Sequence, residues 1–493
     1  MGSKLKNIGL IGLGMVAGVA ASLQYSAMAQ KNAPSALPLE KLGEFSEIFG
    51  LIKSDYVEPV DDEKLLNDAI NGMVSSLDPH SAYLDKEAYR ELREGTEGKF
   101  VGLGIEVGTE DGYVKVIAPI EDSPAYRAGI QAGDVITRID SVPVKGLSID
   151  DAVKRLRGEP NTKITLTIAR KNEDKPVVVS LVRELIKQHS VKAKVIEPGY
   201  AWLRISQFQE PTVEEMAKKI QSLYAQDPQL KGLVLDLRND PGGVLPGAIG
   251  VSAAFLPKDV AVVSTNGQVD DAKAVYYAKR EFYGARAGND PLAKLPTAIK
   301  NIPLVVLINT GSASASEIVA GALQDYQRAT IIGTRSFGKG SVQTVHQITE
   351  DTGVKITTAR YYTPNGRAIQ AKGITPDLYV EETEDGDGYN GLRTREIDLE
   401  KHLKNDKEAE KDSDLAKNRV DELEEEKRLT TLAKTYKAFE YGSKEDFQLK
   451  QALNHLKGLP VKVARAPETK SETAEVKPSA VTKKAKPEAK KKP

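Results

Sequence analysis

The chain has no cysteine. That absence excludes disulfides, thiolate zinc sites, a cysteine nucleophile and a lipidated N-terminal cysteine. Histidine is scarce: His80, His189, His346, His402 and His455 are the five in 493 residues. No two sit at helical ligand spacing, so no metal site built on histidine is expected, and no cofactor motif is present. Neither charge is in excess. Against 70 Asp and Glu stand 69 Lys and Arg, a net charge of −1 that gives no electrostatic hint of a nucleic-acid partner. The length suffices for two or three compact domains.

The N-terminus carries the first positive signal. Lys4 and Lys6 precede an apolar run from Ile8 to Ala21, and "SAMAQ" follows with Ala27 and Ala29 flanking Met28. This is the pattern of a secretory signal cleaved after Ala29, so residues 1–29 are expected to be a signal peptide. An uncleaved membrane anchor is the alternative, because no charge occurs between Lys6 and Lys31. In both cases the chain is exported.

Periodicity divides the remainder. Apolar residues at helical spacing (Leu42, Phe45, Ile48, Phe49, Ile52), then "DEKLLNDAINGMVSSL", give a helical segment over residues 30–96. Alternating apolar and polar residues with glycine turns mark a compact strand-rich module over 97–185. Two strand–turn–helix units, "KGLVLDLRNDPGGVLPGAIGVSAAFL" (231–256) and "IPLVVLINTGSASASEIVAGALQDYQ" (302–327), place a largely parallel, covered α/β sheet within 186–380. A hairpin-like stretch over 353–380 closes that region. Residues 381–460 read as a charged helical extension. Residues 461–493 hold ten Lys or Arg and four Glu and read as a disordered basic tail.

The chemistry concentrates at the second unit. Ser312, Ser314 and Ser316 occupy a sharp turn between a buried strand and a helix. Serine caps helices well, and two of the three are expected to do that. The turn also presents a side chain beside the free N–H groups and positive end of the helix, a place suited to a serine nucleophile and its oxyanion. Such a nucleophile needs a base. Strand alternation in "GKGSVQTVHQI" puts Lys339, Ser341 and Gln343 on one face and His346 on the other. Lys339, between Gly338 and Gly340, is the better base, since an apolar pocket lowers a lysine's pKa. Gln343 can hold its amine in position. The "LRNDPGG" turn brings Gly242 and Gly243, one of whose N–H groups would complete an oxyanion hole with that of Ala315.

With these residues in view, the chain resembles the carboxyl-terminal processing peptidases, or tail-specific proteases. The match runs through "SLDPHSAYL" (76–84), "GLGIEV" (102–107), "SPAYRAGIQAGDVITRID" (123–140), "LDLRNDPGG" (235–243), "GSASASEIVAGALQD" (311–325), "SFGKGSVQT" (336–344) and "YYTPNGRAIQAKGITPD" (361–377). The resemblance implies a crotonase/ClpP-like ββα core, here 186–380, with an inserted PDZ domain at 97–185. It implies Ser314 as nucleophile, paired with Lys339 and supported by Gln343, and a homo-oligomer. Two departures stand out: Asp240 replaces the family's usual Asn, and residues 266–300 are long for the family. In the PDZ module, the turn Gly102–Leu103–Gly104–Ile105 offers consecutive N–H groups at a strand edge, suited to a peptide's terminal carboxylate. Arg157, ending the following helix, is a candidate regulatory link to the core, with a surface arginine as the equal alternative. The expected function is a periplasmic serine endopeptidase that reads the C-termini of protein substrates, with an envelope adaptor as a further possible partner. A catalytically inactive PDZ scaffold is the alternative. A crotonase-like acyl-CoA enzyme is a third reading, disfavoured by export.

Overall fold

The computed structural model describes residues 38–110, 112–120, 122–171, 173, 175–284, 290–384, 386, 394–406 and 439–463. The expected signal peptide, half of the charged extension and nearly all of the basic tail lie outside the described residues. The chain forms two compact units, residues 1–72 and 73–493.

In the first unit, α1 (Leu39–Asp55) buries none of its residues. Its apolar positions Leu42, Phe45, Ile48 and Leu51 are all exposed. Helix α2 (Asp62–Ser75) begins here and ends in the second unit.

The second unit opens with β1 (Ala82–Leu84) and α3 (Lys86–Glu97). Asp85 caps α3 by accepting the Ala88 N–H, and Gly98 ends it in the left-handed conformation that glycine tolerates. A strand-rich module follows: β2 (Lys99–Gly102), β3 (Ile105–Glu110), β4 (Tyr113–Pro119), α4 (Pro124–Arg127), β5 (Val135–Ile139), β6 (Val142–Pro143), α5 (Ile149–Leu156), β7 (Lys163–Ala169), β8 (Val177–Val182) and β9 (Glu184–Lys187). Its antiparallel sheet runs β3-β4-β5-β7-β8, which leaves β3 at an edge. Alternation in β7 sends Ile164, Leu166 and Ile168 inward to a core with Val116, Ile136 and Ile139. The β2–β9 ladder closes the module at its base.

The larger sheet has the order β10 (Val191–Glu197), β11 (Tyr200–Ile205), β12 (Gly232–Asp236), β15 (Leu304–Ile308), β16 (Thr330–Gly333), β19 (Leu378–Tyr379), counting the strands of a second sheet given below. All neighbours are parallel except β10, which runs antiparallel to β11. Both β12 and β15 are buried at every residue, because helices cover both faces. Leu233, Leu235, Val306 and Ile308 pack toward α6 (Thr212–Gln226), α7 (Leu245–Phe255) and α9 (Ala315–Asp325). Val234, Val305 and Leu307 pack toward Leu449, Ala452 and Leu453 of α10 (Phe447–Leu456). Composition grouped those last residues with a charged extension; they form instead the second covering layer. Arg238, fully buried, fastens it through Asp236 and Asp446.

The second sheet is antiparallel, with β18 (Gly353–Tyr362) between β1 and β13 (Ala261–Gly267), β14 (Ala274–Tyr277) at its edge, and β17 (Ser341–Gln347) paired to β18. So 353–362 pairs with the preceding strand, and within 353–380 the chain turns back on itself only at the antiparallel bridge between Tyr362 and Ala368. The long segment 266–300 supplies the edge strand β14 and the short helix α8 (Arg280–Tyr283).

Candidate active site

The serine turn sits between β15 and α9. Ser312 Oγ donates to the Leu237 carbonyl (2.8 Å), and Ser316 Oγ to the Asp240 carbonyl (2.9 Å). Two of the three serines thus stitch their turn to the neighbouring 237–243 turn. Ser314, between them, adopts φ 56° and ψ −112°, a conformation costly for a side-chain-bearing residue. Its N–H donates to Glu317 Oε2 (2.8 Å), and its hydroxyl meets that of Tyr361.

The glycine turn fits closely against it. A Cβ on Gly242 would fall 2.7 Å from the Ala313 carbonyl and 2.8 Å from the Ala315 nitrogen, so only glycine permits this approach. The Gly242 N–H is engaged by Asp240 Oδ1 (2.9 Å) and is not offered to a substrate. Burial pushes the Asp240 carboxyl well above the ordinary carboxylate range, against the opposing bond from Gly242.

The loop before β17 brings the lysine. Gly338 and Gly340 lie against the backbone of residues 370–373, where a Cβ would collide. The Lys339 side chain is largely buried, and that burial, helped by the nearby Lys355 charge, lowers its pKa to about 8 against the pull of Glu396, Glu317 and Asp78. Near pH 8, about half of the side chain is therefore a free amine able to accept a hydroxyl proton. Gln343 Nε2 donates to Ser341 Oγ (3.0 Å) and Thr357 Oγ1 (3.1 Å). A bulge between Val342 and Gln343 interrupts the simple alternation assumed from sequence. His346 lies exposed farther along β17.

Ser314, Lys339, Gln343, Ala315, Gly242 and Gly243 all line one cavity of 660 Å³, which His346 does not reach. Among the described residues no group of three or more His, Asp or Glu could hold a metal ion.

Glu317 was overlooked in the sequence. It is wholly buried and ties the serine turn to the lysine loop: Oε1 accepts from Ser336 Oγ (2.5 Å) and the Gly338 N–H (2.7 Å), Oε2 from the N–H groups of Ser314 (2.8 Å) and Lys339 (2.9 Å). Burial outweighs these bonds and lifts its carboxyl to about 7. Serine followed three residues later by glutamate is the signature of a helix start, and that spacing could have flagged it. Tyr361, also buried, donates its hydroxyl to the Lys339 carbonyl.

A second, smaller pocket of 280 Å³ lies on the strand-rich module, lined by Gly102, Leu103, Gly104 and Ile105 opposite Val153 and Leu156 of α5. Gly104 has φ 73°, and a Cβ there would collide with Ser123. Arg157 does not lie free on the surface. It donates to Glu94 (3.0 Å), pairs with Glu91 (3.6 Å) and stacks 5.7 Å from the Phe100 ring. Both glutamates belong to α3, and Glu91 and Gly95 of that helix line both pockets.

A strand-edge groove on one module and a serine beside a buried lysine on the other define a PDZ-bearing serine peptidase. Comparison with known proteins agrees: residues 199–380 match the model of peptidase family S41, 115–170 a PDZ domain, and 12–88 the N-terminal domain of the activating protease CtpB. A carboxy-terminal-processing protease of Bartonella bacilliformis is 46% identical over 381 residues, covering 76% of this chain and 83% of that protein. A probable CtpA-like serine protease of Staphylococcus aureus strain COL is 37% identical over 341 residues, 69% of this chain and 65% of that protein. The solved photosystem II D1 C-terminal processing protease is 31% identical, covering 68% of this chain and 86% of that one, with a TM-score of 0.38. The chain belongs to the carboxy-terminal-processing serine proteases of peptidase family S41.

Proposed function

We propose that this protease is exported to the periplasm, captures the C-terminal region of protein substrates in its PDZ groove, and cleaves by acyl-enzyme chemistry on Ser314. The observation that carries this reading is that Ser314, Lys339 and Gln343 share a cavity in which the lysine's pKa is lowered to about 8. Lys339 takes the proton as Ser314 Oγ attacks the scissile carbonyl. The oxyanion is held by the N–H groups of Ala315 and Gly243, with Gly242 contributing through its missing side chain. Lys339 then protonates the leaving amine, and later deprotonates the water that frees the acyl group. Gln343 keeps the amine in place throughout. No metal or cofactor takes part.

The layered core supports a crotonase/ClpP-like description, and the charged segment after 381 is read as an extension of it. Signal-like residues 1–29 support export. The bare apolar face of α1 supports a homo-oligomer; an envelope adaptor is a further partner. Peptide enters along the β3 edge with its carboxylate at Gly102–Ile105. Arg157, through Glu91 and Glu94, relays occupancy of that groove to α3 and thence to the catalytic cavity. The test is cleavage of an unstructured peptide by single variants. Ser314→Ala and Lys339→Ala lose several orders of magnitude with fold intact, and His346→Ala retains most activity. An active Lys339→Ala beside a dead His346→Ala overturns the base assignment, and activity in Ser314→Ala overturns the whole reading.

A further inference from the structure

The Asp-Pro-His-Ser stretch at 78–81 has no part in the chemistry just described, yet it is built against its back. The following strand β1 pairs with β18, Ala82 opposite Lys355. This sets Asp78 and Ser81, each 4% exposed, beside Thr357. Asp78 Oδ1 accepts the N–H groups of His80 (2.8 Å) and Ser81 (3.0 Å) and the Thr357 hydroxyl (3.1 Å). Its Oδ2 accepts the Ser81 hydroxyl (2.7 Å), whose oxygen accepts the Thr357 N–H (3.1 Å). Burial alone would raise this carboxyl, but the bonds from Ser81, His80 and Thr357 hold it below the usual carboxylate range.

An ionised carboxylate only accepts. It therefore obliges the Thr357 hydroxyl to donate to it, which leaves that oxygen with lone pairs alone for any further neighbour. The neighbour is Gln343, directly across the ladder. Only its amide nitrogen can approach, and Nε2 bonds Thr357 Oγ1 and Ser341 Oγ. The amide oxygen is the end left for the cavity it shares with Lys339. An oxygen accepts from an amine or ammonium, whereas an NH2 group opposes the ammonium and would tie up the lone pair of the free amine.

We propose that Asp78 is a positioning residue of the active site: by fixing Thr357 as a donor, it fixes which end of the Gln343 amide is presented to Lys339. This rests on Lys339 and Gln343 acting as read above. Threonine is thus the coupling element, and its hydroxyl is the part that matters.

The experiment measures kcat, KM and the pH dependence of kcat/KM for the full exported chain on a quenched-fluorescence, unstructured peptide with a free C-terminus. The variants are Asp78→Ala, Thr357→Val and Thr357→Ser. Alanine removes the oxygen to which the Thr357 hydroxyl donates, and valine removes the hydroxyl while keeping the shape. Both lower kcat about tenfold or more with KM within about twofold. In both, the acid limb of the profile moves to lower pH by about half a unit or more, because hydrogens facing Lys339 disfavour its ammonium form. Five charged groups flank that amine: Asp78, Glu317, Glu396, Lys355 and, across the cavity, Glu91. None but Asp78 is altered, and Thr357→Val alters no charge at all. Thr357→Ser retains activity and profile. Should Asp78→Ala misfold, the valine and serine pair decides alone. Loss of activity without movement of the limb, equal damage from serine and valine, or wild-type kcat in Thr357→Val overturns the proposal. Activity in Lys339→Ala would instead overturn the reading beneath it.

Discussion

Replacing Glu317 by Gln removes one oxygen from a buried group that accepts four hydrogen bonds. The amide can turn two ways. With its nitrogen in place of Oε2, the main-chain N–H groups of Ser314 and Lys339 both lose their acceptor. With its nitrogen in place of Oε1, the Ser336 hydroxyl can rotate to accept, and the Gly338 N–H is the one main-chain donor left unpaired. The second arrangement is cheaper and is the one expected. An orphaned buried donor costs about 1–3 kcal/mol, partly offset because a neutral amide escapes the burial penalty of a carboxylate. A cost of that size falls on the junction between the nucleophile's turn and the lysine's loop. If it is spent there, kcat falls by roughly five- to 150-fold, at about 1.4 kcal/mol per factor of ten. The melting temperature drops by roughly 2–12 °C, at about 2–4 °C per kcal/mol for a domain of 150–250 residues. The assay pairs steady-state cleavage of an unstructured peptide with thermal melting. Unchanged kcat with unchanged melting would refute the claim that this carboxylate holds the two halves of the site together. A large fall in melting temperature with full activity below it would refute the claim that the strain reaches the chemistry.

Other outcomes follow from the same geometry. Cleavage rises with pH through about 8, because Lys339 must lose its proton to act and about one-tenth of it is neutral at pH 7; a flat profile from pH 6 to 9 contradicts the lysine base. Amidating a substrate's C-terminus removes the charge paired by the Gly102–Ile105 turn, costing about 1.5–3 kcal/mol, or roughly ten- to 150-fold in rate at sub-saturating concentration; equal rates for free and amidated peptides contradict terminus recognition. Deleting residues 30–60 removes the uncovered apolar face of α1 and lowers the particle mass in light scattering; a full-length chain that scatters as a 53.5 kDa monomer contradicts self-association through it.

Local pattern was readable in the sequence where one residue's environment follows from its neighbours. Alternation in 163–169 became a half-buried strand, and the largely apolar runs before "RND" and "NTG" became strands covered on both faces. The face-sharing of Lys339, Ser341 and Gln343 was read from strand period alone, and the cavity holds all three even though a bulge breaks that period. What escaped was set by distance along the chain. Asp78 reaches Thr357 across 279 residues, and His80 reaches Glu396 across 316. Arg238 reaches Asp446 across 208, which is how a helix in a charged stretch came to cover the sheet. No composition or spacing signals such pairings, because they depend on which strands lie side by side. Which of Gly242 and Gly243 has a free N–H was left open for the reason opposite to distance: Gly242 donates to Asp240, two residues away, and residue types do not signal a bond within a turn.

The central claim is that peptide-bond cleavage passes through an ester on Ser314 with Lys339 as the base. Acid quenching during turnover of an unstructured peptide ester, followed by digestion and mass spectrometry, tests it most directly. The account predicts an acyl adduct on the peptide that contains Ser314, present in the natural chain and absent from Ser314→Ala and Lys339→Ala. An adduct on another residue, or an undiminished one on Ser314 in Lys339→Ala, would contradict it.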